Sequence, residues 1–111
     1  MNLQKLLSGA FMSMAASMLL SLVPASTHAQ DAAALAQKNN CMACHAVDKK
    51  LVGPAFKDVA ARYKAKPNAE VTVAKSIRQG SSGNWGGMPM PPNAGVNEEQ
   101  AAQLAKWVLS R

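Results

Sequence analysis

The sequence predicts an all-α fold of about four short helices. Three observations carry that expectation. Apolar residues recur three and four apart in four separate segments. No stretch alternates apolar and polar residues as a half-buried strand does. Gly, Pro and Asn punctuate the chain between the periodic segments. No internal repeat or low-complexity tract interrupts them.

Ahead of the helices stands an export signal. Lys5 is the only charge before Asp31, the run from Leu6 to Val23 is apolar or small, and Pro24 ends it. Thr27 and Ala29 are small residues at the two positions a signal peptidase reads, so cleavage after Ala29 is expected. The run approaches the length of a membrane span, but its serines and small-residue end favour a cleaved signal over an anchor. Residues 1–29 are then a signal peptide and residues 30–111 a single domain with no stable membrane association.

The first helix is expected over about residues 31–40, with Asp31 as N-cap, an alanine-rich body and Leu35 on its apolar face. The second, about 56–62, lies between Gly53-Pro54 and Lys66-Pro67 and turns Phe56, Val59, Ala60 and Tyr63 inward. A third begins after Asn68, read as its N-cap, with Glu70 in the first turn and Val73, Ala74 and Ile77 on one face. Arg78 sits in its last turn and Gly80 just beyond. Residues 81–96 hold Gly83, Gly86, Gly87, Pro89, Pro91, Pro92 and Gly95, so they form a loop, and so long a loop in so small a domain is usually functional. The last helix, about 98–109, is capped by Asn97 with Gln100 in the capping-box position. Its stripe is Ala101, Leu104, Ala105 and Val108, with Trp107 beside it, and the first helix is its expected partner because alanine-rich faces approach closely.

The chemistry is concentrated in Cys41-Met42-Ala43-Cys44-His45. Cys-x-x-Cys-His is the attachment signature of c-type haem. On a helical turn, residues three apart share a face, so both sulfurs reach one edge of the same ring, and His45 can turn its imidazole toward the iron. A thioredoxin-like redox pair would follow a strand in a βαβ pattern, which is missing here. A structural zinc site needs four ligands, and the processed domain offers only Cys41, Cys44 and His45. A disulfide closing so short a loop would stabilise little. The domain also carries few aromatic residues, Phe56, Tyr63, Trp85 and Trp107, so a covalently held apolar disc would complete its core.

What fills the far face of the iron decides between electron transfer and ligand chemistry. His28 leaves with the signal, as do Met1, Met12, Met14 and Met18, and Met42 lies inside the attachment motif. Met88 and Met90 remain. Met90 is the better candidate, because Pro89 and Pro91 stiffen the chain on both sides of it, whereas Met88 follows Gly86-Gly87.

The formal net charge is +6. That basic excess is spread along the chain and suits acidic protein partners or simply a solvated surface; it lacks the basic helix and interleaved aromatics of a nucleic-acid footprint.

With these pieces in place, the chain resembles the class I c-type cytochromes of the small bacterial cytochrome c-551 type. The likeness rests on Cys41–His45, on Val52-Gly53-Pro54-Ala55-Phe56-Lys57-Asp58-Val59-Ala60, on Trp85-Gly86, on Met90-Pro91-Pro92-Asn93 and on Lys106-Trp107-Val108. It implies a small cytochrome c fold, about four short helices packed around one haem c held by Cys41 and Cys44, with His45 and Met90 as axial ligands. It also implies that the Pro54 carbonyl accepts from the His45 ring, that Gly53 lets the backbone approach the haem, that Asn93 donates to the Met90 sulfur and that the Trp85 indole reaches a propionate. Two departures stand out. Gly87 replaces a frequent proline, and Ser76 falls where an arginine often meets a propionate, with Arg78 nearby. The expected function is that of a periplasmic, monomeric, non-enzymatic single-electron carrier. Its partners would be redox proteins such as a periplasmic reductase or oxidase and a membrane electron donor. The alternative is a haem enzyme or gas sensor with an open sixth position.

Overall fold

Local signals place four helices in chain order: α1 (Thr27–Lys38), α2 (Phe56–Tyr63), α3 (Ala69–Gln79) and α4 (Glu98–Leu109), with a 3₁₀ turn at Cys41–Ala43 between the first two. The computed structural model describes the backbone from Thr27 and the side chains from Asp31 through Arg111. Residues 1–26, which hold most of the expected export signal, lie outside the described residues. Among the described residues there is no strand, only the isolated antiparallel bridges His45–Lys50 and Ser81–Met90. The all-α expectation therefore holds.

α1 differs from its expected bounds at both ends. It begins at Thr27, so Asp31 lies inside the helix rather than capping it, and the expected cleavage position after Ala29 falls within it. It stops at Lys38 because Asn40 takes up a left-handed backbone, φ 58°, which asparagine tolerates better than most residues. The Asn39 side chain bonds back to the Leu35 carbonyl at 2.9 Å and closes the last turn. The buried face belongs to Ala32 and Ala36, with Leu35 only half-buried.

Asn68 also stands where expected but works differently. Its side chain makes no capping bond; its backbone sits at φ 58° and turns the chain into α3. Asn97, by contrast, forms the full capping box with Gln100, at 3.0 Å and 2.8 Å for the two reciprocal bonds.

α4 packs against α1, α2 and α3 in turn. Its stripe, Ala101, Leu104, Ala105 and Val108, is buried throughout, and Leu104 is the largest fully buried side chain among the described residues. Pairing with α1 follows the sequence expectation; α2 and α3 share the same helix. Six of the twelve buried apolar residues are alanines, so direct helix-to-helix packing is close but thin. Much of the remaining apolar surface lines a cleft instead. No described helix is long and apolar enough to cross a membrane.

Candidate functional site

The cleft lies between α2, α3, α4 and the segments that join α1 to α2 and α3 to α4, and Cys41, Cys44, His45, Trp85, Met88 and Met90 all line it. Val59, Val73, Ile77 and Leu104 give it an apolar wall.

His45 is fixed from three directions. Its Nδ1 lies 2.7 Å from the Pro54 carbonyl. A carbonyl only accepts, so Nδ1 carries the proton and donates, and Nε2 keeps its lone pair for a metal. The ring stacks on Phe56 with centroids 5.0 Å apart and an interplanar angle of 21°. Phe56 is braced in turn by the edge of Trp107 at 5.4 Å. Behind the imidazole sits Gly53, where a Cβ would come within 2.5 Å of the His45 Cε1. Gly53 is thus required by the histidine ring, a closer constraint than the haem approach anticipated from the sequence. Its N–H also donates to the Cys44 carbonyl at 2.7 Å, closing the segment between motif and proline.

The 3₁₀ turn at Cys41–Ala43 sets the cysteines. Side chains three apart eclipse one another in such a turn, so Cys41 and Cys44 face the same way, and both are half-buried against the cleft. Burial pushes the Cys41 thiol up, only partly offset by a backbone hydrogen bond. That direction is opposite to the lowered pKa of a nucleophilic Cys-x-x-Cys thiolate, which weakens the thiol-exchange reading. No cluster of three His, Cys, Asp or Glu residues able to hold a free metal ion occurs among the described residues.

Met90 and Met88 part company in their settings. Met90 is half-buried and packs against the central core, while Met88 is 74% exposed. Sequence reasoning credited the flanking prolines for holding Met90. The structure adds a stronger device: Ser81 and Met90 exchange backbone hydrogen bonds of 3.0 Å and 2.8 Å, pinching the loop at its neck. Gly80 makes room for that pinch. It adopts φ 76°, ψ 174°, a region essentially reserved for glycine, and a Cβ there would lie 2.5 Å from the Met90 carbonyl oxygen. The sequence marked Gly80 only as a helix end.

Further residues singled out in the sequence have these protein partners. The Asn93 amide donates to the Asn39 carbonyl at 3.2 Å, and its oxygen accepts from the Gly95 N–H at 3.2 Å, so the side chain ties the end of α1 to the loop. Trp85 lies with its ring face under Arg62, whose Cζ is 3.5 Å from the ring centroid, and with Tyr63 6.4 Å away. Ser76 lines the cleft and bonds back to the Thr72 carbonyl, whereas Arg78 borders a separate groove between α3 and α4. Arg62, which also donates to the Asn84 carbonyl, carried no local sequence signal beyond its charge.

These residues fit a c-type haem. Two thiols lie on one turn, an imidazole presents a free nitrogen lone pair, a neutral thioether stands in the same cleft, and the wall is apolar. Cys41 and Cys44 would hold the ring covalently, with His45 and Met90 available to the iron.

Comparison with known proteins points the same way. The sequence profile of the family described as cytochrome c matches residues 29–111. Cytochrome c-552 of Nitrosomonas europaea is 53% identical over 83 residues, covering 75% of this chain and 81% of that protein. Cytochrome c-551 of Pseudomonas aeruginosa is 52% identical over 83 residues, covering 75% and 79% respectively. The crystal structure of wild-type Nitrosomonas europaea cytochrome c552 superposes with a TM-score of 0.68 at 54% identity, over 70% of this chain and 96% of that one.

Proposed function

The chain belongs to the cytochrome c family, among its small bacterial c-551 and c-552 members, and on that premise we propose that it is a periplasmic carrier of single electrons. One haem c would be held through Cys41 and Cys44, with His45 and Met90 as the ligands to its iron. The observation that carries the reading is the 2.7 Å contact between His45 Nδ1 and the Pro54 carbonyl, which leaves Nε2 free in a cleft shared with both cysteines and Met90.

When bound, the haem supplies the ferrous/ferric couple. The protein's part is to hold the surroundings still while charge changes. Pro54, Gly53 and Phe56 fix the imidazole and raise its basicity as a ligand. Met90 offers a soft, neutral sulfur that favours the reduced ion and raises the potential. Val59, Val73, Ile77 and Leu104 keep water from that side of the cleft. With His45 and Met90 both holding the iron, no position would be left for a substrate, which is the arrangement of a carrier rather than an enzyme.

Export is supported by the sequence of residues 1–29, and the attachment chemistry suits an exported chain. The monomer would dock briefly to redox partners, a periplasmic reductase or oxidase on one side and a membrane donor on the other. Its positive charge favours acidic partner surfaces, through the small, weak interfaces usual for electron transfer.

Intact mass of the exported protein is expected to show processing after Ala29 and one added haem. Ferric protein is expected to show the absorption band of sulfur-ligated iron, lost in Met90→Ala and kept in Met88→Ala. Rapid, tight carbon monoxide binding to the reduced wild type at neutral pH would reject the carrier reading in favour of an open-site enzyme or sensor.

A further inference from the structure

The loop that carries Met90 makes an excursion, residues 82–89, between the paired Ser81 and Met90. Gly83, Gly86 and Gly87 all have positive φ, at 77°, 68° and 65°, and nothing lies within 4 Å of where their side chains would begin. Among the described residues, the excursion makes no backbone–backbone hydrogen bond of its own. Its one hydrogen bond to the helical body comes from Arg62, whose guanidinium donates to the Asn84 carbonyl. The same guanidinium lies flat on the neighbouring Trp85 ring, 3.5 Å from its centroid. A planar, delocalised cation can stack and donate at once, which an ammonium cannot do in this geometry.

We propose that Arg62 is a positioning residue: a latch from α2 that holds the 82–89 excursion closed and so controls how often the Met90 position opens to a competing ligand. This rests on Met90 as axial ligand. Opening must break both contacts of the guanidinium and then part the Ser81–Met90 pair at the neck. The latch touches neither His45 nor the cysteines, so its loss leaves attachment and the imidazole side intact. It sits on the exposed side of α2, so removing it takes nothing from the core.

The test uses the intact ferric haem protein and imidazole as competing ligand, in wild type, Arg62→Ala, Arg62→Lys and the neighbouring exposed control Lys64→Ala. Losing one stacked cation and one charged hydrogen bond is expected to raise the imidazole binding rate about tenfold in Arg62→Ala. Arg62→Lys is expected to restore part of the barrier and Lys64→Ala to match wild type, with the sulfur–iron band present in all four before imidazole is added. An unchanged rate in Arg62→Ala, or an equal rise in Lys64→Ala, overturns the latch. If the wild type itself lacks the sulfur–iron band, the Met90 reading fails separately. The latch is then judged by hydrogen exchange at the Ser81 and Met90 amides: faster exchange in Arg62→Ala supports it, and equal exchange overturns it.

Discussion

His45 and Met90 reach the same cleft from segments of opposite character. The histidine segment is fixed several times over. One carbonyl, one stacked ring and one glycine backbone bear on a single imidazole, and Phe56 is itself braced by Trp107. The methionine loop is fixed at few points. It has a stiff neck at Gly80, Ser81 and Met90, a tie through Asn93, and beyond those a glycine-rich excursion held by one arginine. The lesson is that the two sides of one cleft need not be equally rigid. The side next to Cys41 and Cys44 carries the geometry, and the side of Met90 carries what freedom there is.

That contrast can be broken or sharpened by substitution. The largest loss of stability is expected at the neck. Gly80→Ala would force an alanine into a backbone region reserved for glycine and drive its Cβ into the Met90 carbonyl, costing about 3 kcal/mol in denaturant unfolding. Gly53→Ala comes next, at about 2 kcal/mol, because its Cβ would push on a ring that Pro54 and Phe56 hold in place. It should also shift the visible spectrum by tilting the imidazole; an unshifted spectrum at full stability would show that the histidine side has slack. Gly83→Ala shares the positive φ of Gly80 but meets open space, so only the left-handed backbone penalty remains, about 1 kcal/mol. Met88→Ala is expected to change thermal stability least, by about 0.5 kcal/mol or less, since its side chain is largely in solvent. If Gly83→Ala proved as costly as Gly80→Ala, the excursion would be as constrained as the neck and the contrast would disappear.

How much of this was legible in the sequence depends on the range of the interaction. α4 was legible to its last residue, because capping box, acidic first turn and apolar stripe are all local. The Cys41–His45 motif was legible for the same reason. Asp31 misled because a capping residue type inside a helix looks the same in sequence as one at its start, and α1 runs back to Thr27. Asn68 was found in the right place for the wrong reason: its left-handed backbone, rather than its side chain, starts α3. The double duty of Gly80, the Ser81–Met90 pair and the Arg62–Trp85 stack were not legible. Each joins residues whose meeting is decided by the tertiary fold, and none leaves a periodic or spacing signal. Asn93 was singled out for a bond to sulfur; the bonds it makes to Asn39 and Gly95 add a structural tie, the first of which no local pattern could reveal.

The placement of α4 has a consequence for how the molecule is made. Every other described α-helix rests on this one, and it is the last of the four in chain order. A chain synthesised from its amino end holds Cys41 and Cys44 before residues 98–109 have been added, so the packing that α4 supplies is the last to become available.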